Sequence, residues 1–225
     1  MILRNDFKPD GKVKNKMENL HVTDHPLVES KLTMLRDLQT GNKEFRELVK
    51  EIAMFICYEA TRDAPLLEKN IETPVCKTIA RVTDKKYAIV PILRAGLGMV
   101  DGVAALLPTA KIGHIGMFRD PVSLEPVTYY GKLPPDVQDR EILLLEPILA
   151  TGGTAMASID YLKKEGAKCI KFLSLVVAPE ARKRLLENHP DVMIYAAAYD
   201  EKGLNDKGYI VPGLGDAGDR LYGTK

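Results

Sequence analysis

The chain has 225 residues, of which 45% are hydrophobic and 28% are charged, and its formal net charge is +1. These proportions are those of a globular protein long enough for one domain with a sizeable core. The near balance of 32 basic and 31 acidic residues argues against a broad nucleic-acid-binding surface, and no apolar run approaches the roughly 20 residues of a membrane span. We therefore expect neither a stable nucleic-acid partner nor membrane insertion.

The first residues are polar and rich in lysine, and they lack the apolar segment of a signal peptide. We interpret residues 1–16 as a flexible N-terminal extension and residues 17–225 as a single domain. The three cysteines, Cys57, Cys76 and Cys169, lie far apart and show no CxxC spacing. Because this pattern is typical of a reducing compartment, we expect a cytoplasmic protein.

Two amphipathic helices are predicted near the start of the domain. Leucines at helical spacing predict a helix over Pro26–Leu38, and a stronger i, i+3, i+4 pattern predicts a second over Lys43–Thr61. The segment Ile71–Val82 reads as a strand or a hairpin that contains a proline.

Further along the chain, apolar strands alternate with amphipathic helices. This alternation is typical of an α/β fold in which a mainly parallel sheet is covered by helices on both faces. The predicted strands are Tyr87–Leu93, Lys111–Phe118, Glu141–Leu145, Cys169–Val177 and Val192–Tyr199, and the predicted helices lie within Ala95–Leu107, Thr154–Glu165 and Pro179–Asn188.

Two segments stand outside this alternation. Residues 120–139 contain several prolines, and we predict a β-arm there that serves dimerisation. A mobile flap over a ligand and a plain surface hairpin are the alternatives. Residues 200–225 are rich in glycine but also carry apolar residues that can anchor them, which predicts a small structured hood at the C-terminus.

Ligands of open parallel sheets bind at the carboxyl ends of the strands, and one strand end here carries a clear phosphate signal. The segment from Glu146 to Thr154 reads EPILATGGT. Glycines allow a close backbone approach, and helix N-terminal amides beside two hydroxyls suit a phosphate group. A carboxylate at the strand end suits paired ribose hydroxyls, so the segment predicts a ribose 5-phosphate site. The alternative is an ordinary helix cap, in which Thr154 caps the helix and the glycines only turn the chain.

Arginines follow two of the other strands. Arg94 precedes a tight Gly-x-Gly turn, and a guanidinium beside turn amides suits a diphosphate. Arg119 is a second candidate for the same anion. At both positions the alternative is an ordinary surface arginine beside a strand end.

The C-terminal segment Tyr209–Arg220, YIVPGLGDAGDR, is the third candidate site. Its glycines and proline fix an irregular backbone, which can offer N–H and C=O groups to a flat heterocycle. The alternative is a glycine-rich loop without a ligand.

Missing motifs argue against several other chemistries. The chain has no GxxxxGK[ST] motif, and Asp101 occupies the place where a GxGxxG motif needs its third glycine. The four histidines form no HExxH motif, and no GxSxG motif occurs. We therefore predict no metal site built from protein side chains alone and no hydrolase triad.

Together these residues resemble the type I phosphoribosyltransferase family, and within it the branch that acts on uracil. The matching segments keep one order from about His21 to Lys225; they are HPLVESKL, FRELVKEIA, YEAT, VPILRAGLGMVDG, EPILATGGT, LVVAPE, HPDV and GYIVPGLGDAGDR. The resemblance implies the type I phosphoribosyltransferase fold and a role in pyrimidine salvage. Uracil and 5-phosphoribosyl 1-diphosphate would give UMP and diphosphate, with Mg²⁺ bound through the diphosphate. It further implies a homodimer or higher homo-oligomer, and because some family members respond to GTP, GTP is a candidate effector.

The resemblance also implies roles for individual residues. Arg94, Arg119 and Asp216 would be catalytic and would contact the phosphoribosyl donor. The remaining donor-binding residues would be Glu146, Pro147, Ile148, Leu149, Ala150, Thr151, Gly152, Gly153 and Thr154. Uracil would be bound by Ile210, Gly215, Asp216 and Ala217.

One position departs from the family pattern, because Glu146 stands where an aspartate usually precedes the proline. The extra methylene shifts the carboxylate and puts the affinity for the donor in doubt. Three alternatives stay open: a phosphoribosyltransferase for orotate or a purine, an RNA-binding regulator on the same fold, and an enzyme disabled by Glu146. Orotate would require a cation near its carboxylate, and the tail offers none before Arg220. The nearly neutral charge argues against the RNA-binding regulator.

Overall fold

The computed structural model of the chain describes residues 19–119 and 126–224, which leaves the predicted extension, residues 1–16, outside the described part. The helices are α1 (Pro26–Arg36), α2 (Asn42–Ala60), α3 (Leu97–Leu106), α4 (Gly153–Lys164), α5 (Pro179–Asn188) and α6 (Ala217–Tyr222), with a short 3₁₀ helix at Val137–Asp139. The strands are β1 (Leu20–Val22), β2 (Leu66–Glu72), β3 (Lys77–Thr83), β4 (Tyr87–Leu93), β5 (Lys111–Ile112), β6 (His114–Arg119), β7 (Pro126–Lys132), β8 (Glu141–Leu145), β9 (Ile148–Leu149), β10 (Cys169–Val177) and β11 (Met193–Tyr199). Within these ranges, the helices are all too short or too polar to cross a bilayer.

The main sheet is mainly parallel, as the alternation of strands and helices predicts. Its strand order is β1–β11–β10–β8–β4–β6–β7, with β5 beside β4 and β9 beside β10. Only the pairing of β6 with β7 is antiparallel among the pairings described for this sheet. In the parallel register Leu145 lies opposite both Pro91 and Leu173. The carboxyl ends of β4, β8 and β10 therefore meet at one edge of the sheet.

The central strands are apolar at consecutive positions because helices cover both faces of the sheet. In β8, Leu143 and Leu145 belong to the core shared with α1, α2 and α3. Ile142 and Leu144 belong to the core shared with α4 and α5. Because successive side chains of a strand point to opposite faces of the sheet, β8 contributes to both cores.

The start of β8 is fixed by a buried ion pair. Glu141, only 5% exposed, lies 2.7 Å from the ammonium of Lys171 on β10 and 2.8 Å from that of Lys85. The Lys171 ammonium also donates to the carbonyl of Ala60 at 2.7 Å. These contacts hold the end of the strand opposite to the ligand-binding edge.

The segments predicted as a hairpin and as a β-arm differ in their surroundings. The hairpin predicted around Ile71–Val82 is confirmed, and its strands β2 and β3 form a separate antiparallel sheet. Of the segment 120–139, residues 120–125 lie outside the described residues, and β7 pairs with β6 in the main sheet. The use of this segment as a dimerisation arm stays a prediction.

Candidate functional site

The loop between β8 and α4 has the backbone of an anion-binding turn. Gly152 adopts a left-handed conformation with φ of 78°, and a side chain there would come within 3.3 Å of the Cα atom of Ala181 on α5. Gly152 occupies the N-cap position of α4, where no side chain caps the helix. Thr154 lies inside the helix, so the structure does not support the alternative in which Thr154 is an ordinary cap. The first-turn amides of α4 have no partner within the helix and are suited to an anion.

This loop borders a cavity of about 240 Å³, which we call the phosphate cavity. Arg184 on α5 supports the loop from outside, because its Nη1 donates to the carbonyl of Thr151 at 2.9 Å. The described residues that line the cavity are Glu146, Ile148, Leu149, Ala150, Thr151, Gly152, Gly153, Thr154, Ala155, Lys207 and Gly208.

Arg94 is exposed directly after β4, and the C-terminal helix contacts it. The hydroxyl of Tyr222 donates to the carbonyl of Arg94 at 2.9 Å, and the guanidinium lies 5.9 Å from the centroid of the Tyr222 ring. Gly96 follows in a turn so close to β4 and β8 that a side chain would collide with backbone atoms of Ile92 and Leu145. The turn therefore requires glycine, and it brings α3 directly onto the strand end.

A buried ion pair and several hydrogen bonds hold the C-terminal hood against helix α1. Asp200, which is 6% exposed, accepts two hydrogen bonds from Arg36 on α1 at 2.7 and 2.8 Å. Asp200 also accepts a hydrogen bond from the amide of Gly213 at 2.9 Å, and Arg36 donates to the Gly213 carbonyl at 2.6 Å. Arg220 donates to the carbonyl of Leu35 at 2.8 Å. These bonds fix the irregular backbone that the sequence predicts for the tail.

The hood and the strand ends enclose a second cavity of about 240 Å³, which we call the hood cavity. Asp216 lies on its wall, and one of its carboxylate oxygens caps α6 by accepting from the amide of Asp219 at 2.9 Å. The described residues that line the hood cavity are Ala95, Glu146, Pro147, Ile148, Ala150, Val176, Gly208, Tyr209, Ile210, Gly213, Leu214, Gly215, Asp216, Ala217 and Gly218. Glu146, Ile148, Ala150 and Gly208 line both cavities, so the two adjoin along a shared wall.

The sequence-predicted residues fall into three groups in space. The whole segment from Glu146 to Thr154 lies along the two cavities, and the four residues assigned to uracil lie along the hood cavity. Arg94 stands beside them, because an added Cβ on Gly218 would be 3.9 Å from the Nη2 of Arg94. Arg119 ends β6, which pairs with β4, so its backbone lies at the same edge of the sheet.

Several residues that line or support the site belong to none of the motifs found in the sequence. Lys207 lines the phosphate cavity, Tyr222 contacts Arg94, and the pair of Arg36 with Asp200 holds the hood. These contacts join segments that are far apart in the chain, and periodicity carries no information about them. The one available signal for Lys207 is its position two residues before Tyr209, where the predicted base-binding segment begins.

Glu146 is the unusual titratable group of the site. It forms part of both cavities, and no hydrogen bond to its side chain occurs among the described residues. Although part of the residue faces the cleft, the surrounding protein withdraws the carboxyl from bulk water, and this desolvation raises its pKa to about 8. The carboxyl of Glu146 is therefore mostly neutral at pH 7.

Comparisons with known proteins agree with this geometry. The family model described as "Uracil phosphoribosyltransferase" matches residues 22–224. A protein named uracil phosphoribosyltransferase from Geobacillus kaustophilus is 60% identical over 210 residues, which is 93% of this chain and all of that protein. The structure of the AQ2163 protein from Aquifex aeolicus is 36% identical, with a TM-score of 0.86 over 92% of this chain and 99% of that one. The adenine phosphoribosyltransferase from Leishmania donovani, at 13% identity, shares the fold with a TM-score of 0.56, covering 87% of this chain and 89% of its own.

We expect the Glu146 carboxyl to titrate with a midpoint near pH 8, because burial opposes its ionised form. The measurement is a carbon-13 NMR titration of the protein labelled at glutamate side-chain carboxyls. An ordinary glutamate titrates near about pH 4.3 and provides the internal reference. The Glu146→Gln variant should lack the signal that moves near pH 8. A full set of glutamate midpoints below pH 6 would contradict the expected desolvation.

Proposed function

The chain belongs to the uracil phosphoribosyltransferase family, and on this basis we propose that it transfers the phosphoribosyl group of 5-phosphoribosyl 1-diphosphate to uracil. The products are UMP and diphosphate, and the reaction serves pyrimidine salvage. The observation that carries the proposal is the shared wall of the phosphate cavity and the hood cavity. A ribose on this wall has a phosphate loop on one side and a base-sized space on the other.

The reaction is a substitution at C1 of the ribose. The C1–O bond breaks, the electron pair leaves with the diphosphate, and N1 of uracil forms the new bond to C1 and loses its proton. We propose that Arg94 and Arg119 neutralise the charge that develops on the diphosphate. Asp216 lines the hood cavity and has a carboxylate that can accept the N1 proton. With no covalent enzyme intermediate, the protein acts by positioning the donor and base and by electrostatic stabilisation.

Different residues of the donor-binding segment bind different parts of the donor. The amides of Gly153 and Thr154 and the threonine hydroxyls bind the 5-phosphate, and the Glu146 carboxylate accepts from the ribose hydroxyls. Pro147 contributes through its carbonyl, which accepts from the amides of Leu175 and Val176 and so fixes the loop to β10. Leu149 is buried beneath the cavity and supports it.

Magnesium fits this site through the donor. Among residues 19–119 and 126–224 no group of three or more His, Cys, Asp or Glu side chains forms a metal cage. Mg²⁺ at phosphates, however, needs only one or two carboxylates and keeps several waters. Glu146 supplies a carboxylate on the wall shared by the two cavities and would hold a diphosphate-bound Mg²⁺. When bound, the ion would neutralise charge on the departing diphosphate.

The hood cavity favours a small neutral base over the competing substrates. Two carboxyl side chains, Glu146 and Asp216, are on its described lining, and no Lys, Arg or His is among the lining residues. Orotate would place its carboxylate beside these groups without a partner, which is unfavourable in a partly enclosed site. The cavity volume of about 240 Å³ gives room for a pyrimidine.

We expect a base-specificity assay to give diphosphate release with uracil at a kcat/KM at least about 100-fold above that with orotate, hypoxanthine or cytosine. The reaction without a base measures hydrolysis of the donor. The same reactions with added GTP test the effector response that some family members show. Comparable turnover of orotate or hypoxanthine would refute the proposed base, and no turnover of any base would support the reading of a disabled enzyme.

Replacing Arg94 by alanine should lower kcat/KM for uracil by about 10²–10³, because one preorganised charge at the leaving group is removed. The matched control is Arg62→Ala, since Arg62 is exposed and pairs with Glu59 at 2.7 Å away from both cavities. Circular dichroism should show the same fold for both variants. Steady-state activity near that of the wild type in Arg94→Ala would exclude the proposed role.

We also propose that the chain forms a homodimer and that, besides the predicted arm at residues 120–139, the hairpin of β2 and β3 contributes to its interface. A two-stranded hairpin alone is marginal in water, and among the described strands β2 and β3 pair only with each other. Cross-strand pairing places Leu67 and Val82 opposite each other on one face, and both are exposed, at 50% and 40%. Ile71 lies on the same face. Burial of this apolar face against a second copy would stabilise both the hairpin and the dimer.

Sedimentation equilibrium should give twice the chain mass of 25.0 kDa for the wild type. The double variant Leu67→Lys, Val82→Lys should shift the protein towards the monomer, because it places charges in the apolar contact. Thr83→Lys, on the opposite face of the hairpin, is the control and should remain dimeric. A monomeric wild type, or a double variant as dimeric as the control, would count against this interface.

A further inference from the structure

Lys207 lines the phosphate cavity but belongs to the C-terminal hood and not to the phosphate loop. Among the described residues that line this cavity, Glu146 carries the one carboxyl group and Lys207 is the only cation. A phosphate monoester carries about −1.5 to −2 charge at pH 7. Threonine hydroxyls and helix amides bind such a group, but they provide no full positive charge to balance it.

The turn that carries Lys207 is rigid, although the side chain is exposed. The side-chain oxygen of Asn205 accepts hydrogen bonds from the amides of Lys207 and Tyr209, each at 3.0 Å. The amide of Asn205 in turn donates to the carbonyl of Tyr209 at 2.9 Å, and Leu204 bridges Ile210. The backbone is therefore fixed at the rim of the cavity.

The ammonium of Lys207 is available for a ligand. Within residues 19–119 and 126–224, Lys207 makes no side-chain hydrogen bond or ion pair. Arg184 also contacts the phosphate loop, but its Nη1 is engaged by the carbonyl of Thr151, and Arg184 is not among the residues that line the cavity. Lys207 is thus the better placed of the two cations to meet a phosphate inside the cavity.

We propose that Lys207 binds the 5-phosphate of the phosphoribosyl donor and of the UMP product, together with the phosphate loop. The proposal rests on the proposed function and adds a residue to it. Gly208 lines both cavities and follows Lys207 directly in the chain. The phosphate of the ligand is therefore bound both by the phosphate loop after β8 and by the hood. Residues on two sides of the site thus contact the same molecule.

The test compares UMP with uridine, which differ by the phosphate alone. In Lys207→Met we expect the affinity for UMP, measured by isothermal titration calorimetry, to fall about tenfold, the scale of one charge-assisted hydrogen bond partly screened by solvent. The affinity for uridine should be unchanged. The KM for the donor should rise by a similar factor, while kcat stays within about twofold of the wild type, because the phosphate is bound equally before and during reaction.

Two further variants separate charge from structure. Lys207→Arg keeps the cation and should retain the UMP affinity within about threefold of the wild type. Lys202→Met removes an exposed lysine of the same tail that lines neither cavity, and it should change nothing. Equal affinities of Lys207→Met and wild type for UMP, or an equal loss for UMP and uridine, would overturn the role of Lys207. A wild type that neither binds nor forms UMP would instead refute the proposed function.

Discussion

The pairing of β8 with both β4 and β10 is the constraint on which the site depends. Leu145, the last residue of β8, lies opposite Pro91 on one side and Leu173 on the other. A slip of one residue would exchange the two faces of β8, and with them two hydrophobic cores. The register is therefore strongly fixed, and Glu146 must leave the sheet beside the end of β4, where Arg94 begins the next turn.

The sequence predicts this central part well for a physical reason. The strands Tyr87–Leu93, Glu141–Leu145 and Cys169–Val177 and the helix Pro179–Asn188 have the predicted bounds, because buried strands are apolar throughout and proline favours a first helical turn. The predicted α/β fold class and type I phosphoribosyltransferase fold are confirmed by the sheet and by the similar structures. The sequence did not predict the very short elements β1, β9 and α6. Two to six residues contain too few periods for a pattern, and tertiary contacts determine their conformation.

The candidate site likewise contains parts that could be predicted from neighbouring residues and parts that depend on contacts between distant residues. The loop Glu146–Thr154 and the turn after Arg94 could be predicted because glycines, hydroxyls and charge occur next to each other in the chain. The contacts that support these loops could not be predicted, because they join residues that are close only in the folded chain. Arg36 and Asp200 are 164 positions apart, and Arg94 and Tyr222 are 128 apart. A single sequence offers no rule that pairs such residues.

Glu146 connects the shape of the site to its chemistry. Its carboxyl is poorly solvated, and with a pKa of about 8 it is mostly neutral at pH 7. Ribose hydroxyls and a diphosphate-bound cation both favour the ionised carboxylate, so a bound donor should lower this pKa. By linkage, donor binding then releases a proton and strengthens as the pH rises towards 8. The burial of Glu146 would thus make occupancy of the site depend on pH near neutrality, in addition to any effect on the ribose contact.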